Sequence, residues 1–461
     1  MNFSQFKNIY FLGIGGIGMS ALARYFNSKG KNVYGYDKTS TPLTDELIDE
    51  GIEVHFADDI NMIGEAIIKG GINTTLIVYT PAIPATHKEL NYFLSKGFII
   101  KKRSEVLGMI TENTFTIAVA GTHGKTTTSS MIAHILKYAG YNCSAFLGGI
   151  AKNYNTNLLI GCSGTDDNYT VVEADEYDRS FLSLKPTISV ITSMDADHLD
   201  IYGSENYMIE SYRMFAQKLK PEGQLIYKKG LPLDDLPLTK SSYNVKGNAD
   251  YSAENIRIGD HRYHFDWKNS TTSIKDITTD MPGWHNVENA IAAIAVARML
   301  KVSDDNIKKA LSTYSGVRRR FDYQLRTPHV IYIDDYAHHP EELRACISSV
   351  RELYPGRKIT GIFQPHLFTR TRDFAEGFAK SLSMLNTLIL LDIYPAREEA
   401  LPGITSKIIF NKVSVSDKVL CSKENVIDEL RKRECDVVLT LGAGDIDQLV
   451  KPVYDYLKQL K

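Results

Sequence analysis

Apolar residues along the chain recur in two spacings, and their alternation predicts the fold class. Short β-rich runs stand at 8–12, 32–36, 76–79 and 98–101, while 19–28 carries helical spacing that Gly30 ends. Between the first run and that helix lies Gly13-Ile-Gly-Gly-Ile-Gly18, and Asp37 closes the second run. Strand, glycine turn, helix and strand in this order make a Rossmann-like unit. A proline-punctuated loop from Thr80 to Pro84 follows the third run, and Ser104-Glu105 reads as a helix cap.

A second alternation begins with the β-rich stretch 114–120. The tight loop Gly121-Thr-His-Gly124 follows, and then Lys125-Thr126 opens a helix predicted from Thr126 toward Tyr138 and stopped by Gly140. Strands are expected at 169–172 and 188–192, and a small β excursion in the polar, alternating stretch 223–280. Helical spacing resumes at 286–300 and 303–314. After Gly316-Val-Arg-Arg-Arg320 come a strand at 330–333, a helix at 341–353, a strand at 358–363, a helix at 372–382, and strands at 387–392 and 436–439. The expected fold is α/β with three domains: a Rossmann-like one over 1–106, a central P-loop ATPase-like one with the β excursion over 107–317, and a Rossmann-like one over 318–461.

The loop at 121–127 carries the most chemistry. Strand, glycine loop, Lys-Thr and helix is an arrangement that holds nucleotide phosphates: amides and the positive helix end face the anion, the lysine adds charge, and the threonine can ligate Mg²⁺. A glycine loop that merely turned a strand into a helix would not need Lys125 and Thr126. The ordinary Walker pattern places a glycine five residues before the Gly-Lys pair, where Val119 stands, so this is a shorter form. Gly13, Gly15 and Gly18 with Asp37 also fit a dinucleotide fingerprint. That signal is weak by itself and admits a UDP pyrophosphate as well as NAD or FAD, or plain helix–strand packing.

Composition narrows the class. The chain has 461 residues, 43% of them hydrophobic and 23% charged, with a net charge of −2, so it offers no basic field for nucleic acid and no polybasic membrane patch. Its five cysteines, Cys143, Cys162, Cys346, Cys421 and Cys435, are odd in number and lack CxxC spacing, which predicts reduced thiols. With no secretory signal and no apolar run of membrane length, a cytoplasmic protein is expected.

Other candidates cluster after strands. Glu173-Ala-Asp-Glu-Tyr-Asp178 is where Mg²⁺ is met beside a phosphate loop, with Glu173, nearest the strand, favoured over a merely solvated acidic loop. His198, among carboxylates after the next strand, can ligate a metal or bond a phosphate. His285, Asn286 and Asn289 open an apolar helix. The run Arg318-Arg-Arg320 is either a solvated linker or a source of charge for a transferring phosphoryl group. His338, His339, His366, Arg370 and Asp392 fall after three successive strands of the last domain, and such strand ends line the crevice of an open α/β sheet.

Taken together, GTHGKTTT, EADEYDRSF at 173–181, DADHLDIYG at 195–203, HNVENA at 285–290, GVRRRF at 316–321 and DDYAHHP at 334–340 resemble the Mur ligases, ATP-dependent amide-forming enzymes of peptidoglycan synthesis. GIGGIGMSALA, FQPH and DIYPAREE narrow the likeness to a member that takes UDP-N-acetylmuramate and L-alanine as substrates. The resemblance implies ATP with Mg²⁺ (Mn²⁺ as a substitute), acyl-phosphate chemistry, and a cytoplasmic monomer or homodimer serving cell-wall growth, shape and division. It assigns Lys125, His198, Arg320, His339 and Arg370 to catalysis. Gly121, Thr122, His123, Gly124, Lys125, Thr126, Thr127, His285, Asn286, Asn289, Arg320 and Asp335 go to ATP, and Thr126, Glu173 and His198 to the metal. Gly15, Gly16, Ile17, Gly18, Met19, Ser20, Asp37 and Thr80 are implied for the UDP-sugar, with His366 and Arg370 toward the alanine and acyl group. Many relatives carry arginine and tyrosine after the FQPH histidine. Here Leu367 and Phe368 stand, so that arginine's role does not transfer and more falls to Arg370. The rivals are a recycling ligase of the same family that attaches a whole tripeptide, and a non-catalytic or redox NAD-binding protein that would leave Lys125, Glu173 and His198 idle.

Overall fold

The computed structural model describes residues 3–112, 114–161, 169–195, 202–396 and 398–460. Its sheets are three, and its contacts gather into two compact units, one mostly over 1–252 and the other mostly over 312–461.

In the first unit, strands β1 (Asn8–Leu12), β2 (Asn32–Tyr36), β3 (Glu53–His55), β4 (Thr75–Tyr79) and β5 (Ile99–Lys102) form a parallel sheet ordered β3-β2-β1-β4-β5. Every position of β1 is buried, as a parallel strand covered on both faces requires, which is why Ile9–Leu12 is a continuous apolar run. The order reverses beside β1, so the Gly13–Gly18 loop opens at a switch point.

The same unit holds β6 (Phe115–Ala120), β7 (Cys143–Ala151), β8 (Thr156–Leu159), β9 (Tyr169–Glu173), β10 (Ile188–Ile191), β11 (Gln224–Lys228) and β12 (Lys240–Lys246). They run in the order β12-β11-β10-β6-β9-β7-β8, parallel except for the β7–β8 pair. The β excursion expected from 223 therefore begins later, because β11 and β12 extend the parallel sheet. Strands β13 (Tyr251–Gly259), β14 (Arg262–Lys268) and β15 (Ser273–Thr279) follow in the chain.

Helix Ile17–Ser28 ties the two sheets of this unit together. Its Tyr25 ring lies 5.5 Å from Phe146 of β7, and its Arg24 Nη1 donates to Asn157 Oδ1 of β8 at 2.6 Å. One apolar core runs from Phe11 and Phe26 through Phe146 and Leu158 to Val172 and Phe215. The cap expected at Ser104 sits two residues earlier. Helix Arg103–Thr111 is capped at Lys102, whose N–H donates to Glu105 Oε2 at 2.8 Å, and Ser104 lies inside the first turn.

The second unit carries β16 (Asp322–Arg326), β17 (Ile331–Asp335), β18 (Ile359–Phe363), β19 (Thr387–Leu390), β20 (Asp417–Leu420) and β21 (Val437–Leu441), ordered β16-β17-β21-β18-β19-β20. Only β16 pairs antiparallel. Tyr332, Ile362, Ile389, Val438 and Val453 build its core. The single helix expected at 372–382 is two, Phe368–Asp373 and Ala375–Leu382. Phe374 leaves helical geometry between them, with its ring edge-on to His339 at 4.9 Å.

Candidate functional site

The phosphate loop is built as its sequence demands. Gly121 at φ +138° and Gly124 at φ +84° take backbone conformations that side chains resist, and Gly124 caps helix Lys125–Tyr138. A Cβ on Gly124 would stand 2.7 Å from Asn289 Oδ1, so Asn289 braces the loop from the helix Trp284–Met299. The end of β10 braces the other side: the Thr122 hydroxyl donates to Asp195 O at 2.8 Å, and the His123 N–H donates to Ser193 Oγ at 2.7 Å. The His123 amide, expected to face a phosphate, is thus spent on Ser193. Thr126 and Thr127 are buried at the helix start, and His198 lies outside the described residues.

Lys125 Nζ donates to Gly121 O at 2.6 Å and to Glu176 Oε1 at 2.8 Å. Burial lowers the lysine's pKa, but Glu176 and then Glu173 outweigh it, so the ammonium is held in its charged form. Burial in turn pushes the Glu176 carboxyl up to about 7 against the pull of Lys125. Glu176 went unassigned in the sequence, where Glu173 was preferred for its place next to the strand. The acids after β9 have three separate partners. Glu173 accepts from the Gly148 N–H at 3.0 Å, Asp175 accepts from Arg103 Nη2 at 3.0 Å, and Glu176 meets Lys125.

A cavity of about 970 Å³ opens on the glycine turn of the first sheet. It is lined by Gly13, Gly15, Gly16, Ile17, Gly18, Met19, Asp37 and Thr80, and further by Asp58, His87, Arg103, Phe146, Glu173 and Asp175. It therefore brings the glycine turn together with the strand end that also serves the phosphate loop. Asp37 Oδ2 accepts from the Gly15 N–H at 2.8 Å, which fixes the turn. Burial lowers the His87 imidazole below its ordinary value, although Asp58 Oδ1 lies 3.2 Å from Nδ1. Ser20, expected at the UDP-sugar, lies behind the turn. It is fully buried and absent from the lining, its hydroxyl donating to Ile17 O and accepting from Asn157 Nδ2.

In the second unit, Arg319 and Arg320 flank the Tyr336 ring, each guanidinium 5.0 Å from its centroid. Arg319 Nη2 donates to Gly442 O at 2.7 Å, and Arg320 Nη1 lies 3.6 Å from Glu342 Oε1. His366 stacks on Tyr394 at 5.7 Å, with Arg370 Nη1 3.4 Å from its Nδ1 and the His338 ring 5.9 Å away. Tyr394 and His338 stand beside His366 and Arg370, which the resemblance had assigned together with His339. Three of the expected residues also make contacts within the fold. Both Asp335 oxygens accept backbone N–H groups, from Phe321 at 2.7 Å and Ala337 at 2.8 Å, so the expected ribose contact is taken up by the loop; burial pushes this carboxyl up to about 6. His339 Nδ1 accepts from Glu341 N at 3.4 Å and caps helix Pro340–Leu353. Asn286 Nδ2 donates to Pro282 O at 2.7 Å, and the neighbouring His285 ring packs at Gly283. Among the described residues no three His, Cys, Asp or Glu side chains form a ready metal cluster.

Fold and site together define an α/β protein with a phosphate-type loop beside a glycine-turn cavity, and comparison with known proteins places it. Residues 8–114 match the model of the Mur ligase family catalytic domain, 119–297 the Mur ligase middle domain, and 319–444 the Mur ligase glutamate ligase domain. The chain belongs to the Mur ligase family. It is 52% identical over 465 residues to a UDP-N-acetylmuramate–L-alanine ligase of Parabacteroides distasonis, with 100% of both chains covered. A ligase of the same name from Porphyromonas gingivalis is 51% identical, covering 98% of this chain and 100% of its own. Among solved structures, the UDP-N-acetylmuramate-alanine ligase of Thermotoga maritima superposes with a TM-score of 0.82 at 27% identity, covering 98% of this chain and 100% of that one.

Proposed function

We propose that this chain joins L-alanine to the carboxylate of UDP-N-acetylmuramate and spends ATP to do so, in the synthesis of peptidoglycan precursors. The relatives that match it end to end at about half identity carry that activity in their names. The observation that carries the reading is the end of β9, where Glu173 and Asp175 line the cavity while Glu176 grips the phosphate-loop lysine. A carboxylate is inert to amines until one of its oxygens becomes a leaving group. The sugar-linked carboxylate oxygen attacks the γ-phosphorus, ADP departs, and the alanine nitrogen attacks the acyl carbon. Phosphate leaves, and the amine gives up its proton.

The chain's own residues bind and screen. The amides at the start of helix Lys125–Tyr138 and Lys125 hold the triphosphate, and the glycine turn holds the UDP portion. Arg320, His366 and Arg370 supply charge for the acyl phosphate and the amino acid. Thr126 and Glu173 present hard oxygen donors suited to Mg²⁺, and Glu173 acts electrostatically on Lys125, so it stands near the loop. They would hold the ion with His198, and the metal would supply a Lewis acid for the phosphoryl oxygens. The domain boundaries consistent with this division of labour are 106/107 and 317/318.

The deciding assay is phosphate release from ATP with UDP-N-acetylmuramate plus one amine at a time. Release with L-alanine supports the reading, release only with a whole tripeptide assigns the recycling activity, and release with neither overturns both.

A further inference from the structure

We propose that Arg103 is the cation that completes the diphosphate cradle of the cavity, and that Gly18 is a glycine in order to admit it. The proposal rests on the reading of this cavity as the UDP-sugar site. A nucleoside diphosphate brings at least two negative charges, and a helix end offers only about half a positive charge against them. The described lining runs the wrong way: Asp37, Asp58, Glu173 and Asp175 are carboxylates, and only Lys38 and Arg103 are cations. Lys38 is exposed, one residue beyond Asp37. Arg103 lies instead over the first turn of helix Ile17–Ser28, where the phosphates meet the helix end.

The contact is close. A Cβ on Gly18 would stand 2.8 Å from Arg103 Nη1 and 3.3 Å from its Cδ, so any side chain at 18 displaces the guanidinium. The third glycine of a GxGxxG turn ordinarily serves helix–strand packing; here it makes room for a cation delivered from the end of β5. Asp175 holds the far edge of the fork through Nη2 at 3.0 Å, and neighbouring Lys102 is tied to Asp178 at 3.0 Å. The guanidinium is therefore oriented before any ligand arrives, with its Nη1 edge beside the helix end, and a planar fork can serve a carboxylate on one edge and a phosphate on the other. The half-exposed Asp175 contact is weak enough to yield if the phosphate needs both edges.

The test measures UDP and uridine binding by ligand-observed NMR for the wild type, Arg103→Gln, Gly18→Ala and the double variant. Losing a charge-assisted hydrogen bond weakens UDP about 10- to 100-fold in Arg103→Gln, and uridine should stay within about twofold because it lacks the phosphates. Gly18→Ala should weaken UDP similarly, and the double variant no further, since both changes remove one guanidinium. Equal loss for UDP and uridine, undiminished UDP binding in Arg103→Gln, or additive losses in the double variant would overturn the proposal. Arg103→Lys, which keeps the charge without the fork, gives the same reading by an intermediate loss should the glutamine variant fail to fold. A wild-type chain that binds no UDP at all overturns the substrate reading itself, and that result is in hand before any substitution is made.

Discussion

Replacing Lys125 with methionine, and separately Glu176 with leucine, should cost the protein very different amounts. The Nζ–O distance is 2.8 Å, with the lysine side chain 14% exposed and the glutamate 3%. At an effective dielectric of about 20 their attraction is about 6 kcal/mol, and removing each ion from water costs several kcal/mol in return. The pair nearly balances, and what a substitution reveals is the fate of the stranded partner. Without Lys125, Glu176 is left with a carboxyl that burial already pushes up to about 7. That carboxyl takes up a proton at neutral pH, and Lys125→Met costs about 1 kcal/mol, mostly lost packing. Without Glu176, the ammonium keeps only the Gly121 and Thr122 carbonyls and a nearby Glu173, and Glu176→Leu costs about 3 kcal/mol or more.

The double variant should resemble Lys125→Met, which gives a coupling of about 3 kcal/mol. Urea denaturation of the four proteins at pH 7.5 measures it. A pH series adds a signed check. The Glu176 carboxyl is raised in the fold above its ordinary 4.5, so the stability tied to it is full below pH 4.5 and is lost as pH rises through about 7. The decline should be steeper in Lys125→Met, where the ammonium no longer favours ionisation. Equal costs for the two single variants, or a coupling below about 0.5 kcal/mol, would refute the asymmetry and the ion pair behind it.

Ser20→Ala should leave the KM for UDP-N-acetylmuramate within about twofold and lower the melting temperature only slightly, because one buried hydroxyl contact is worth about 1 kcal/mol; a large KM rise with unchanged melting would restore Ser20 to the substrate. Asn157 is fully buried between Arg24, Ile17 O and Ser20, so Asn157→Ala strands a guanidinium and a carbonyl and should cost about 2–4 kcal/mol in urea denaturation. Burial pushes the Asp334 carboxyl from 3.8 up to about 6, against Arg319 and the Thr440 hydroxyl. Its contribution to stability is present below pH 3.8 and lost as pH rises through about 6, and melting curves of Asp334→Asn should show a smaller decline over that window.

The phosphate loop and the glycine turn were legible because their chemistry lies within a few consecutive residues, where loop geometry leaves little choice of residue type. Contacts between distant stretches were not. Arg103 reaches Gly18 across two strands of a sheet, and Asn289 reaches Gly124 from a helix start that by itself reads only as a helix start. Ser20 was assigned by the family resemblance, and it sits three residues after Ile17 on the helical face that packs against Asn157. Asp335 has the position of a ligand contact at a strand end, but its carboxylate accepts the amide of Phe321, just before β16, and that of Ala337, just after β17. The break at Phe374 leaves no mark in helical spacing, because 368–382 keeps its apolar period across it.

The acids after β9 show where a rule of period two could have replaced the choice of the nearest acid. Extended residues alternate sides, so Glu173 and Asp175 share a face, and both line the cavity. Glu176, one residue after Asp175, falls on the other side by the same alternation, and there its carboxylate meets Lys125. Successive residues of one strand end thus serve two sites, Asp175 through Arg103 and Glu176 through Lys125. A diphosphate that draws Arg103 away from Asp175 acts on a carboxylate bonded covalently, one residue on, to the group that positions the phosphate-loop lysine. The acids at the end of β9 thus lie between the glycine-turn cavity and the phosphate loop, and their spacing is set by the register of β9 against β6.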